Sequence, residues 1–126
     1  MNKLILAESS ALVNFFHGSR AVRQILNGNN IWIASITEIE LLVAPNLQGD
    51  KKIIVESFLN RVSVLELTKE VRLLAIQLRI NYSLGLADSI MTASAQYLRI
   101  PLVTYDYDFR KVEGLIEIKF LESNKK

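Results

Sequence analysis

The chain has 126 residues, half of them apolar, which suits one compact domain with a hydrophobic core. Its 15 Lys and Arg and 13 Asp and Glu leave a net charge of +2, which by itself is weak evidence for a polyanionic partner. The absence of cysteine excludes disulfides and thiolate metal sites, and a single histidine disfavours a His-rich metal site, so ionic chemistry must rest on carboxylates, hydroxyls, Lys and Arg.

The first half of the chain alternates short apolar runs with helical patterns. Ser19 is a predicted helix cap, and Pro45 is predicted to end a helix that Thr37 begins. In chain order, this half predicts a strand at 4–6, helices at 10–16 and 20–26, a strand at 31–34, and helices at 37–44 and 51–59.

The second half continues the alternation and ends in a polar stretch. Apolar residues recur at helical spacing after Thr68, which predicts a long amphipathic helix capped by that residue. The predicted order is a strand at 62–65, this helix, a helix from about 87, a strand at 102–104, a turn or short helix at 105–109, a strand at 115–120, and a polar tail at about 121–126.

Strands that alternate with helices predict an α/β fold in a single domain covering residues 1–126. We expect a central, mainly parallel five-stranded sheet with helices on both faces. No apolar stretch approaches the ~20 residues of a membrane helix, and no secretion signal is visible. The expected location is therefore the cytoplasm.

Acidic residues recur near the predicted strand ends, where ligand sites of open α/β sheets lie. Glu8 follows the first strand, and Glu40 is predicted in the first turn of the helix after the second. Asp106 and Asp108 follow the fourth strand, and Asp88 opens the helix that precedes it. These acids are predicted to approach one sheet edge.

Each acid also has a structural explanation, because carboxylates are favoured at helix N-termini and Thr37-x-x-Glu40 fits a capping box. A cluster needs counter-charge, since two carboxylates ~4 Å apart repel by roughly 1–4 kcal/mol. Mg²⁺ or Mn²⁺ suits an all-oxygen ligand set and can activate water for phosphodiester hydrolysis. The hydroxyls that could orient ligands or waters are those of Ser9, Ser10, Thr37 and Thr104.

Four motifs resemble the PIN-domain ribonucleases, specifically the VapC-type toxins of bacterial toxin–antitoxin pairs. That family opens with a short strand running into Asp-[Ser/Thr]-[Ser/Asn]-x-Leu-[Val/Ile], followed by a Thr with Glu three residues later, a Leu-Ala-Asp before a small-residue helix, and Leu-Val-Thr-x-[Asp/Asn] before Asp-Phe. The corresponding segments are LILAESSALV, SITEIELL, GLADSIMTASAQYL and LVTYDYDF. The resemblance covers nearly the whole chain, in order.

The resemblance implies a PIN-like fold and a Mg²⁺- or Mn²⁺-dependent endoribonuclease that is inhibited by a cognate antitoxin and forms a homodimer. The implied metal-binding and catalytic acids are Glu8, Glu40, Asp88 and Asp106, with Asp108 as a supporting ligand. Glu8 stands where the family has Asp. The alternative is therefore a catalytically weakened domain that binds RNA or a protein partner.

Other residues leave further readings open. Arg110 and Lys111 follow the fourth motif and are the best candidates to contact RNA phosphates. Tyr105 and Tyr107 flank an acid, and either ring could stack on a base or pack in the domain. A DNA nuclease remains open, whereas a phosphoacceptor receiver domain is disfavoured because no Asp follows the third strand.

Overall fold

One five-stranded sheet organises the protein, whose structure is a computed structural model describing residues 3–122. The order is β3-β2-β1-β4-β5, and every neighbouring pair is parallel. This confirms the predicted α/β fold and its parallel sheet. The strands are β1 Leu4–Ala7, β2 Asn30–Ala34, β3 Ser63–Leu65, β4 Leu102–Thr104 and β5 Ile118–Phe120.

Helices cover both faces of the sheet. Because side chains alternate along a strand, Leu6 of β1 belongs to one core cluster, whereas Ile5 and Ala7 belong to the other. The first cluster contains residues of the helices at 69–82 and 86–98, and the second contains residues of the four helices between 9 and 59. The helices are α1 Ser9–Phe16, α2 Arg20–Leu26, α3 Ser35–Val43, α4 Asp50–Leu59, α5 Lys69–Tyr82 and α6 Leu86–Leu98, with 3₁₀ turns at Pro45–Leu47 and Tyr107–Val112.

Two predicted helix caps are confirmed by their hydrogen bonds. The Ser19 hydroxyl accepts from the Val22 N–H of α2 at 3.3 Å. The Thr68 hydroxyl accepts from the Val71 N–H of α5 at 3.4 Å. Each cap satisfies a backbone donor that the first helical turn would otherwise leave unpaired.

The predicted start of α3 at Thr37 is wrong. The strand β2 leads directly into α3, which begins at Ser35 without a side-chain cap. Thr37 is fully buried, and its hydroxyl donates to Met91 Sδ at 3.4 Å, so the predicted capping box with Glu40 does not form. Glu40 therefore lies in the second turn of the helix, not the first.

The small residues of α6 let this helix pack closely against α5 and the sheet. Ser89, Thr92 and Ser94 are buried, and their hydroxyls donate to backbone carbonyls of the preceding turn at 2.7–2.9 Å. Their polar atoms are thus satisfied within the helix. This packing fixes the N-terminal turn of α6, which carries Asp88.

The packed part of the chain extends past β5. Leu121 is buried, and its N–H donates to the Thr104 carbonyl at 2.8 Å. Of the predicted polar tail, residues 123–126 lie outside the described residues. Among residues 3–122, none of the helices has the length and apolar character needed to cross a membrane.

Candidate active site

The carboxyl ends of three adjacent strands bring acidic residues to one edge of the sheet. Glu8 lies directly after β1 and is the N-cap of α1. Glu40 lies on α3, which follows β2, and Asp106 follows β4 and caps the 3₁₀ turn. Because β1 lies between β2 and β4, the sheet order itself places these three residues side by side.

The Glu8 side chain is almost fully buried, with 9% of its surface exposed, and hydroxyl groups hold it in place. Its Oε1 accepts from the Ser10 N–H at 3.1 Å, the Ser10 hydroxyl at 2.5 Å and the Thr104 hydroxyl at 2.6 Å. Desolvation raises the pKa of Glu8 and outweighs these hydrogen bonds, which lower it; Asp106 raises it further. Glu8 is therefore a partly desolvated carboxylate with a fixed Oε1.

The second oxygen of Glu8 remains free for the site. No hydrogen bond within residues 3–122 involves Oε2 of this residue. No buried side-chain oxygen in that part of the chain lacks a partner, so Oε2 must reach solvent. One carboxylate oxygen is thus fixed by the protein and the other is accessible to solvent.

The hydroxyls of Ser10 and Thr104 connect Glu8 to the loop after β4. The Ser10 hydroxyl accepts from the Tyr105 N–H at 3.0 Å, and the Thr104 hydroxyl accepts from the Asp106 N–H at 2.9 Å. Each hydroxyl therefore donates to Glu8 and accepts a backbone N–H. This arrangement couples the position of Asp106 to that of Glu8.

A second set of contacts holds Glu40. The Ser9 hydroxyl makes a short hydrogen bond to Glu40 Oε1 and lies 3.5 Å from the Thr37 hydroxyl. Because Thr37 in turn contacts Met91 of α6, this set joins α1, α3 and α6. Met91 is therefore a member of this network, and no local sequence pattern signals that contact because Thr37 and Met91 are 54 residues apart.

Asp88 shares the electrostatic environment of the other acids. Burial is the main cause of its raised pKa, and the charges of Asp106, Asp108 and Glu40 raise it further, whereas Lys111 lowers it. Within residues 3–122, however, no three His, Asp or Glu side chains form a group at metal-binding spacing. Because bare carboxylates repel one another, a cation would favour a closer arrangement of these acids.

Basic and aromatic residues border the acids on the 3₁₀ turn. Tyr107, Asp108, Arg110 and Lys111 line a surface pocket of about 330 Å³. The two tyrosines flanking Asp106 differ in environment. Tyr105 packs against the core with its hydroxyl 3.0 Å from the Ser19 hydroxyl, whereas Tyr107 is exposed and stacks on Phe120.

The profile of the PIN domain family matches residues 5–115 of this chain. A search of curated protein sequences gives no match.

Solved structures with the same fold come from toxin–antitoxin complexes. A chain of a toxin–antitoxin complex from Klebsiella pneumoniae aligns with a TM-score of 0.80 at 23% identity, over 94% of this chain and 99% of that one. A chain of VapBC2 from Rickettsia felis, bound to a promoter DNA fragment, gives 0.77 at 18% identity, over 93% and 98%. A chain of DNA-bound VapBC from Salmonella typhimurium gives 0.75 at 21% identity, over 95% and 98%. At these identities the likeness concerns the fold.

Proposed function

This chain belongs to the PIN-domain family, and from that premise we propose that it is a metal-dependent endoribonuclease, the toxin of a cytoplasmic toxin–antitoxin pair. The observation that carries the proposal is the set of acids at one sheet edge, where Glu8 follows β1, Glu40 lies on the helix after β2 and Asp106 follows β4. Burial and the charges of Asp106, Asp108 and Glu40 raise the pKa of Asp88, although Lys111 lowers it, so a cation at this edge would stabilise the charged carboxylates. The choice of RNA rests on the resemblance of the four motifs to VapC-type toxins.

The residues proposed to hold Mg²⁺ or Mn²⁺ are Glu8, Glu40, Asp88 and Asp106, with Asp108 in support. Carboxylate oxygens are the ligands these ions prefer, and a cation would offset the repulsion between the acids. When bound, the ion supplies activation of water and stabilisation of the leaving oxygen in phosphodiester hydrolysis. Occupation requires the carboxylates to move closer together than they stand in the structure.

The protein's own contribution is orientation of the acids and of the substrate. Ser10 and Thr104 fix Oε1 of Glu8, so that Oε2 is the oxygen offered to the site. Ser9 fixes Glu40 in the same way. Arg110 and Lys111, both on the 3₁₀ turn next to the acids, are proposed to contact RNA phosphates.

Cleavage of RNA by the purified protein tests the function. With Mg²⁺ or Mn²⁺ present we expect cleavage, and EDTA should abolish it because the acids alone provide no activated water. Adding back excess Mg²⁺ or Mn²⁺ should restore the activity, which shows that EDTA did not unfold the protein. Cleavage that persists unchanged in EDTA would refute the metal-dependent mechanism.

Glu8 motivates a second candidate, a catalytically silent PIN-like domain that binds RNA or protein. The structure favours an active role for Glu8, because its carboxylate is held by three donors. We therefore expect Glu8→Asp, one methylene shorter, to lose part of this contact and to cleave RNA about tenfold more slowly, as is typical when residues that orient metal ligands are altered. Measured cleavage rates of wild type and Glu8→Asp decide the question.

The comparison with Glu8→Asp has a clear opposite outcome. If Glu8→Asp, which restores the family's Asp, cleaves RNA faster than wild type, Glu8 is a weakened ligand. That result would support the second candidate, a catalytically silent domain. Glu8→Gln is the control, because it preserves side-chain length and removes the charge. It should cleave more slowly than Glu8→Asp if the charge is what the site needs.

Protein partners are supported by apolar surface on the described helices. Helix α5 buries Val71, Ala75 and Leu78 on one side, while Leu73, Ile76 and Ile80 form an exposed stripe on the opposite side. We propose that a second copy of the chain covers this stripe in a homodimer.

A further exposed set on α3 and α4 is proposed for the antitoxin and consists of Ile39, Val43, Ile53 and Ile54. Light scattering of the chain with and without a co-expressed antitoxin measures both states.

A further inference from the structure

We propose that the exposed face of Tyr107 is a stacking platform for one base of single-stranded RNA, beside the acidic site. This inference rests on the proposed function, which supplies RNA as the ligand. It adds a subsite with a stated chemistry: an aromatic face for the base, next to cations for the adjoining phosphate. The residues that form it are Tyr107, Phe120, Arg110 and Lys111.

The ring of Tyr107 stacks on the ring of Phe120 of β5, which supports one of its two faces. The two ring centroids are 5.1 Å apart and the rings are inclined by 25°, a stacked arrangement. Tyr107 nevertheless exposes 47% of its surface. One face is therefore supported by the sheet while the rest of the ring is open to a ligand, so little side-chain freedom is lost when a base stacks on it.

Tyr105, two residues earlier, has the opposite environment. Its hydroxyl is 3.0 Å from the Ser19 hydroxyl, and its ring packs against the core cluster that contains residues of α1 to α4. The pair thus separates into one tyrosine that holds the domain together and one that the fold leaves exposed. No packing role in residues 3–122 accounts for the exposed part of Tyr107.

The platform is held in a defined position relative to the proposed metal ligands. Asp106 precedes Tyr107, and its Oδ1 accepts from the Asp108 N–H at 2.9 Å, which closes the turn around the tyrosine. Phe109, fully buried, anchors the same turn in the core. A base on Tyr107 would therefore lie in the same turn as Asp106, a proposed metal ligand.

Two cations, Arg110 and Lys111, lie beside the platform. Arg110 Nε donates to the Tyr107 carbonyl at 3.1 Å, so its guanidinium stays beside the platform. Lys111 lines the same pocket of about 330 Å³. An unpaired nucleotide offers both a π-face and an anionic phosphate, whereas bases inside a duplex are stacked on each other and cannot reach the ring.

The test measures binding of a short, fluorescent single-stranded RNA by anisotropy, in an Asp88→Asn background with Mg²⁺ so that cleavage is suppressed. Tyr107→Leu should bind about tenfold more weakly, as loss of one base–aromatic stack predicts. Tyr107→Phe keeps the ring and should bind within about twofold of the parent protein. The matched control is Tyr97→Leu on α6, because Tyr97 is 46% exposed and should leave binding unchanged.

An RNA series with one abasic nucleotide at successive positions separates stacking from a general surface effect. At one position, loss of the base should weaken binding to the parent protein but not further weaken binding to Tyr107→Leu. The inference is overturned if both proteins lose equally at every position, if Tyr107→Leu binds like Tyr97→Leu, or if the parent protein does not bind the RNA. Cleavage by the wild type is scored separately, so failure of the nuclease function and failure of the platform are distinguishable.

Discussion

Asp88→Asn is expected to reduce RNA cleavage at least about 100-fold, because altering residues that merely support metal ligands already costs 10–100-fold. Asn has nearly the same shape as Asp but offers one neutral oxygen in place of a charged carboxylate. The measurement is the initial rate of RNA cleavage at saturating Mg²⁺. Glu70→Gln is the matched control, since Glu70 is an exposed acid in the first turn of α5, just as Asp88 lies in the first turn of α6.

The same substitution should not destabilise the fold. Because the folded-state pKa of Asp88 is raised, its contribution to stability is most favourable below its unfolded-state pKa and is lost as the pH rises through the folded-state value. At neutral pH the charge is therefore unfavourable, and Asn removes it. Thermal unfolding should show Asp88→Asn at least as stable as wild type at pH 7, with the difference shrinking in acid.

An unfolding midpoint of Asp88→Asn well below that of wild type at pH 7 would contradict this account. It would mean that the carboxylate stabilises the N-terminus of α6, the capping explanation that the sequence also allowed. Activity and stability thus separate the two readings. If Asp88 is a catalytic residue, Asp88→Asn lowers the cleavage rate and does not lower the unfolding midpoint. If Asp88 is a capping residue, Asp88→Asn lowers the unfolding midpoint.

Local chemistry explains why much of the fold could be predicted. Ser19 and Thr68 cap helices through bonds to N–H groups three residues away, and such contacts depend on neighbouring sequence alone. The apolar runs of the five strands and their alternation with helices likewise predict the parallel sheet. Parallel strands place Glu8, Glu40 and Asp106 at one edge of the sheet, as the sequence predicts, whereas their proximity also requires β1 to lie between β2 and β4.

Contacts between distant residues explain the errors. Thr37 and Glu40 have the spacing of a capping box, but Ser9 binds Glu40 from 31 residues away and Met91 binds Thr37 from 54 residues away. Ile54 lies one helical turn before the buried Phe58 and has the spacing of a core residue, yet it is exposed, because burial depends on which neighbour covers each face. The roles of Tyr105 and Tyr107 also depend on distant partners, Ser19 and Phe120.

Phe109→Ala is expected to lower the free energy of unfolding by about 3–5 kcal/mol, the usual loss for removing a buried aromatic ring. Phe109 is 0% exposed and belongs to the core cluster that includes residues of α5 and α6. It also anchors the 3₁₀ turn that carries Asp106, Asp108 and Arg110. Urea denaturation at one fixed protein concentration measures the loss, which should shift the midpoint without changing the slope.

Two further variants define what Phe109 does. Phe109→Leu keeps most of the buried volume and should lose much less stability than Phe109→Ala, while Tyr97→Ala at an exposed position should change it by no more than about 0.5 kcal/mol. If Phe109→Ala matched Tyr97→Ala, the turn would not be held by the core. The turn carries both a proposed metal ligand and the cations for RNA. The cleavage rate of Phe109→Leu should therefore decrease only to the extent that the altered packing displaces Asp106.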